Sequence, residues 1–116
     1  MINWTELKEE IQIENILEES KKYPVLIFKH STRCSISVTA LNRLERNWSP
    51  EKITPIKTYY LDLLSHRSVS HQVSECFGVE HESPQVLILK DGKPMHVRSH
   101  LSIGFAEISS ALASTN

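Results

Sequence analysis

Seven residues, Ser31 to Ser37, read S-T-R-C-S-I-S and contain one of the chain's two cysteines. Cys34 follows closely on an apolar run, and Ser37 stands three residues on, where a C-x-x-C redox pair would carry its second sulfur. A sulfur in this setting suits thiol–disulfide exchange, in which the thiolate is the nucleophile. A helix starting after Cys34 would aim unpaired N–H groups and the positive end of its dipole at the side chain. Arg33 adds a positive charge, and Ser37, one turn on, can donate a hydrogen bond to the sulfur. A serine cannot displace an adduct from Cys34, so such an adduct would wait for an external thiol.

The second cysteine, Cys76, belongs to a different part of the pattern. It falls near the end of a segment with helical periodicity, roughly 15 Å from that segment's start, and free cysteine is most often a small buried hydrophobe. We therefore expect Cys76 to be buried and to take no part in resolution. His66, His71, Cys76 and His81 recur every five residues, which invites a metal reading. Five residues of helix turn through about 500°, so successive members cannot share a face, and no metal site is expected. His30 and His81 flank the segments of interest and are candidates for touching a bound small thiol.

The elements that must position Cys34 can be read from periodicity. Leu7, Ile11, Ile13, Ile16 and Leu17 suggest an amphipathic first helix, with room for a break near its start. Val25 to Phe28 is a short apolar run opened by Pro24, as in a strand covered on both faces. From Ser35 to Trp48, Val38, Leu41, Leu44 and Trp48 predict one buried helix face, with Asn42, Arg43, Glu45 and Arg46 opposite. Ile56 to Leu63 reads as a second strand, parallel to the first because a helix lies between them. Ser65 or Ser68 can cap a third helix with Val69, Val73 and Cys76 on its apolar face and Gly78 at its end. Pro84 to Leu89, the turn Asp91-Gly92, and Pro94 to His100 form a hairpin. A last helix carries Phe105, Ile108 and Leu112. Trp4 and Trp48 are expected to be packing residues.

This order, α-β-α-β-α-β-β-α with a cysteine opening the second helix and a proline opening the third strand, resembles the thioredoxin fold. The expected class is α/β, a four-stranded mixed sheet flanked by helices, as one domain over residues 1–116. F-K-H-S-T-R-C-S-I-S at Phe28 to Ser37 and V-E-H-E-S-P-Q-V at Val79 to Val86 are similar to the monothiol bacilliredoxins, the YtxJ-like proteins. The resemblance implies that Cys34 is the redox cysteine, aided by Arg33 and Ser37. It implies a groove in which Thr32, Ser35, Ser83, Pro84 and His81 meet the substrate, with a cis Ser83–Pro84 bond. It also implies bacillithiol as co-substrate, bacillithiolated proteins as clients, and no bound cofactor. Where bacilliredoxins often carry a proline after the cysteine, this chain has Ser35, which bears on where the helix begins.

Two other readings stand beside this one. A non-catalytic thioredoxin-like module could hold a peptide or thiol in the same groove. An iron–sulfur carrier of the monothiol glutaredoxin kind is disfavoured, because that class has glycine and phenylalanine between Cys and Ser and a glycine pair near the last helix. Here Ser35-Ile36 and a single Gly104 take those places.

Composition closes off other classes. With 13 basic and 14 acidic residues and no basic run, nothing marks a nucleic-acid binder. The acidic start M-I-N-W-T-E-L-K-E-E does not resemble a signal peptide, and no apolar run reaches the roughly 18 residues of a membrane span. The expected setting is soluble and cytoplasmic, where cysteines stay reduced.

Overall fold

The computed structural model describes residues 2–114. Its elements are β1 (Thr5–Glu6), α1 (Ile11–Ser20), β2 (Val25–His30), α2 (Ser35–Asn47), β3 (Lys57–Asp62), α3 (Arg67–Phe77), β4 (Gln85–Lys90), β5 (Lys93–Ser99) and α4 (Phe105–Ala113). The sheet order is β1-β3-β2-β4-β5, so there are five strands where four were expected. The extra strand is β1, whose Thr5 and Glu6 pair in parallel with Tyr59 and Tyr60. Two residues are too few to show an alternating pattern. They become a strand only because β3 supplies the partner, and Leu7 N–H continues the pairing to Tyr60 C=O.

That pairing shortens the first helix. Leu7 belongs to the strand's continuation, and Gln12 bridges the break by accepting from Lys8 and Glu9 N–H and donating to Glu6 C=O. Ile11, expected inside, is 59% exposed.

β2 is central and buried along its whole length, parallel to β3 and antiparallel to β4. Its side chains alternate between two cores. Val25 and Ile27 pack with Ile13, Ile16, Val69, Val73 and Phe77 of α1 and α3. Leu26 and Phe28 pack with Ala40, Leu44, Ile108 and Leu112 of α2 and α4. Each fully buried aliphatic side chain contributes about 1.5–3 kcal/mol relative to exposure.

Three helix expectations need correction. The buried line of α2 is Ser37, Ala40 and Leu44, with Leu41 and Trp48 packed against the same core as expected, while Val38 is 39% exposed, its expected place taken by the small residues Ser37 and Ala40. Arg43 and Glu45 are half-buried, Arg43 donating to Leu101 and Ile103 C=O and Glu45 accepting from Trp4 Nε1. In α3 the buried residues are Val69, Ser70, Val73 and Phe77, and Cys76 is exposed: Phe77, the larger apolar side chain, takes the inward position. The residue before α3 is His66 with no side-chain cap, because the Ser65 hydroxyl bonds Asp62 instead.

The turns follow their residue chemistry. Gly78 ends α3 at φ 65°, and Asp91-Gly92 turns the hairpin with φ 53° and 75°. β5 is the outer strand beyond β4, with Lys93, Pro94 and Arg98 exposed and a register shift opposite Ile88 and Leu89. Trp4 packs edge-on against Phe28 and Tyr60, and Trp48 against Phe105.

Candidate active site

β2 ends at His30, and the chain bends through Ser31, Thr32 and Arg33 before α2 begins at Ser35. Cys34 is the N-cap residue, with extended backbone (φ −107°, ψ 118°) and a carbonyl that accepts the Val38 N–H at 3.0 Å. Its N–H donates to Ser31 C=O at 3.2 Å, which closes the bend. The thiol is half-buried and makes no capping bond, so the first-turn N–H groups of a 13-residue helix open beside it. Thr32, Arg33 and Ser35 are exposed on either side. Ser35 thus begins the helix.

Ser37 points the other way from the expected role. It is fully buried, and its Oγ accepts from Ser31 N–H at 3.0 Å while lying 2.6 Å from His30 Nδ1. The Ser37 hydroxyl is thus shared between Ser31 N–H and His30 Nδ1, which donates to it in one imidazole tautomer and accepts from it in the other. The hydroxyl is therefore engaged by Ser31 and His30, and no hydrogen bond joins it to Cys34. Burial holds the His30 pKa below the usual histidine range, against the opposing charges of Asp62 and Glu45. The ring is enclosed by Phe28 and Tyr60, out of reach of a small thiol. Ser37→Ala would strand Ser31 N–H and His30 Nδ1 in a buried position. We expect it to cost about 1–3 kcal/mol in urea unfolding; an unchanged midpoint would show that the pair is dispensable.

Ser83–Pro84 is a cis peptide bond. The last β2–β4 pair is Lys29 with Gln85, the residue after Pro84, at the end of β2 that leads into the Cys34 bend. The bond therefore sits at the same end of the sheet as the Cys34 bend. Ser83 Oγ is buried without a partner, and Pro84 C=O accepts from His100 N–H at 3.0 Å.

His81 is drawn to the α3 side. Its Nδ1 lies 3.3 Å from Lys29 Nζ and 3.4 Å from Ser70 Oγ. Lys29 is the residue that sequence reasoning passed over. It follows Val25 and Ile27 at the strand period of two, so it faces the α1–α3 core and is fully buried. Its ammonium donates to Ser70 C=O at 3.1 Å, Ser74 Oγ at 2.9 Å and His81 Nδ1. Burial lowers its pKa to about 8, and burial, with the Lys29 charge adding to it, pushes His81 down as well. Among the described residues no three His, Cys, Asp or Glu side chains are grouped to hold a metal ion, and His71 is paired with Glu75 at 3.0 Å. No helix there is long and apolar enough to cross a membrane.

Comparison with known proteins agrees with this layout. A solved structure described as a candidate oxidoreductase with a thioredoxin fold superposes with a TM-score of 0.77 at 28% identity, over 91% of this chain and 90% of that one. Thioredoxin of Fasciola hepatica matches at TM-score 0.71 and 14% identity, covering 96% and 98% of the two chains. A Schistosoma mansoni thioredoxin matches at 0.69 and 19%, covering 94% of each. The last two establish the thioredoxin-like fold. A family model, Monothiol bacilliredoxin BrxC, matches residues 5–108 and so spans both the Cys34 bend and the Ser83–Pro84 bond. The chain belongs to the monothiol bacilliredoxin family, a group of thioredoxin-fold thiol oxidoreductases.

Proposed function

We propose that the protein removes bacillithiol from mixed disulfides on cytoplasmic client proteins, with Cys34 as its single redox cysteine. The observation that carries this reading is the pairing of a half-buried Cys34 at the mouth of α2 with a Ser37 hydroxyl already engaged by Ser31 and His30. The Cys34 thiolate attacks the bacillithiol sulfur of the client's disulfide. The client leaves as a thiolate and takes a proton, and Cys34 carries the small thiol. A second bacillithiol then attacks the adduct, giving bacillithiol disulfide and the free thiolate. One free bacillithiol is thus oxidised for each client disulfide reduced, the other half of the bacillithiol disulfide coming from the client. Arg33 supplies positive charge at the reacting sulfur, and Thr32, Ser35, Ser83, Pro84 and His81 border the substrate. No bound cofactor is required.

Intact-mass analysis after parallel exposure to oxidised bacillithiol, oxidised glutathione and cystine tests this. The expected result is one adduct per chain, on Cys34, forming fastest with bacillithiol. A protein that gains no mass, or gains it only on Cys76, would leave a non-catalytic binding module as the better reading.

A further inference from the structure

A cavity of about 240 Å³ lies beside α3, lined by Leu63, Arg67, Ser70, His71 and His81. Its position relates it to Cys34. Leu63 N–H donates to His30 C=O at 3.0 Å, so the cavity wall abuts the last residue of β2, four residues before the cysteine. His81 is two residues before Ser83 of the cis bond. Cavity and cysteine therefore open at the same end of the sheet.

The charge around the cavity is unbalanced. Lys29 holds three of the groups nearby, Ser70, Ser74 and His81, and has no carboxylate partner among the described residues. The ion pairs among the described residues are Lys21–Glu18, His71–Glu75 and His100–Glu82, so Arg67 also has none. Of the carboxylates near in sequence, Glu75 is held by His71, Glu82 by His100 at 3.3 Å and Asp62 by Leu64 N–H and Ser65 Oγ, while Glu80 forms no ion pair with Arg67 or His81. A buried cation with no acid to offset its desolvation favours an anion brought alongside. Arg67, at the first turn of α3, can supply a planar fork suited to a carboxylate. The volume falls below the roughly 300 Å³ at which pockets for larger organic ligands begin, which fits one acidic arm of a small molecule better than a peptide.

We propose that this cavity is a subsite for a carboxylate of the low-molecular-weight thiol, gripped by Arg67 and His81 over the buried Lys29. This rests on the small-thiol reading above and adds to it the feature by which the thiol is chosen. While its sulfur meets Cys34, the acidic arm lies against α3.

The test compares oxidised glutathione with its fully methylated ester as reagents for Cys34, following adduct formation by intact mass. In the wild type the acid should react about tenfold faster than the ester, the size of one charge-assisted hydrogen bond in a partly exposed setting. Arg67→Gln and Lys29→Met should each bring that ratio close to 1. Lys93→Gln, an equal charge change on β5, should keep it. S-methylglutathione, which cannot react, should shift the Arg67 Nε–H resonance in the wild type and not in Lys29→Met. A ratio that Arg67→Gln leaves intact, with no shift at Arg67, overturns the subsite alone. No adduct from either reagent while oxidised bacillithiol gives one overturns the subsite alone, and no adduct from any of the three overturns the parent reading together with it.

Discussion

Cys34→Ser is expected to reduce the release of a small thiol from a modified client to the rate of spontaneous exchange, while Cys76→Ser stays within about twofold of the wild type. The chemistry needs a sulfur that both attacks and leaves, and a serine hydroxyl does neither at neutral pH. Ser37 offers no rescue, since its hydroxyl is buried and bonded to His30 Nδ1 and Ser31 N–H. Nor does Cys76. It lies nine residues along α3 from Arg67, roughly 13 Å by helical rise, and a disulfide requires Cα atoms about 4.4 to 6.8 Å apart. Mass spectrometry of a bacillithiolated client, incubated with each variant and free bacillithiol, reads the outcome directly. Undiminished release by Cys34→Ser would remove the proposed mechanism. Loss of release in Cys76→Ser would mean that the second sulfur takes part.

The second large effect concerns stability. Lys29→Met should stabilise the protein at pH 7 by about 1–3 kcal/mol, because a methionine fills a similar volume in the α1–α3 core without desolvating a charge. The sign of the pH dependence follows from the lowered Lys29 pKa of about 8. Between there and the ordinary lysine value near 10.5, the unfolded chain holds a proton that the folded one has shed. Stability therefore rises with pH across that window, by on the order of 2–3 kcal/mol before tyrosine ionisation intervenes. Tyr59, Tyr60 and Tyr23 are all raised, chiefly by burial, so above about pH 10 the unfolded chain loses protons that the folded one keeps and the curve turns down. On the acid side, His30, His81 and His96 are lowered by burial, and stability falls as pH drops through the ordinary histidine range. Urea unfolding from pH 7 to 10 should show the climb in the wild type and a flat profile in Lys29→Met. Parallel profiles would mean that Lys29 is not the titrating group.

Much of the framework was legible because it is written in local rules. A helix-length segment between two apolar runs gave β2 and β3 their parallel pairing, Asp91-Gly92 gave the hairpin, and Gly78 ended α3. The cis Ser83–Pro84 bond came from family likeness, since an isolated X–Pro pair favours trans. What escaped the sequence depended on partners distant along the chain. Thr5 and Glu6 form a strand only through Tyr59 and Tyr60. The start of the buried face of α2 was misplaced at Val38 because Ser37 looks like a solvent-facing residue until His30 is placed beside it. Cys76 was assigned to the interior on the average behaviour of cysteine, although Phe77, one residue on, competes for the same position. Lys29 left a trace in its alternation with Val25 and Ile27, yet a lysine ending an apolar run reads as the end of burial. Its acceptors Ser70 and Ser74 lie some forty residues away.

The outer strand has a consequence for how the molecule behaves at high concentration. An unpaired strand margin is a template on which another chain can lay a strand, the first step toward amyloid-like stacking. β5 counters this with charge at Lys93 and Arg98, a missing N–H at Pro94, and a register shift that distorts the ladder, while the opposite margin is only two residues long. Replacing Pro94 and Lys93 together by valine would flatten that guard and favour growth of ordered fibrils.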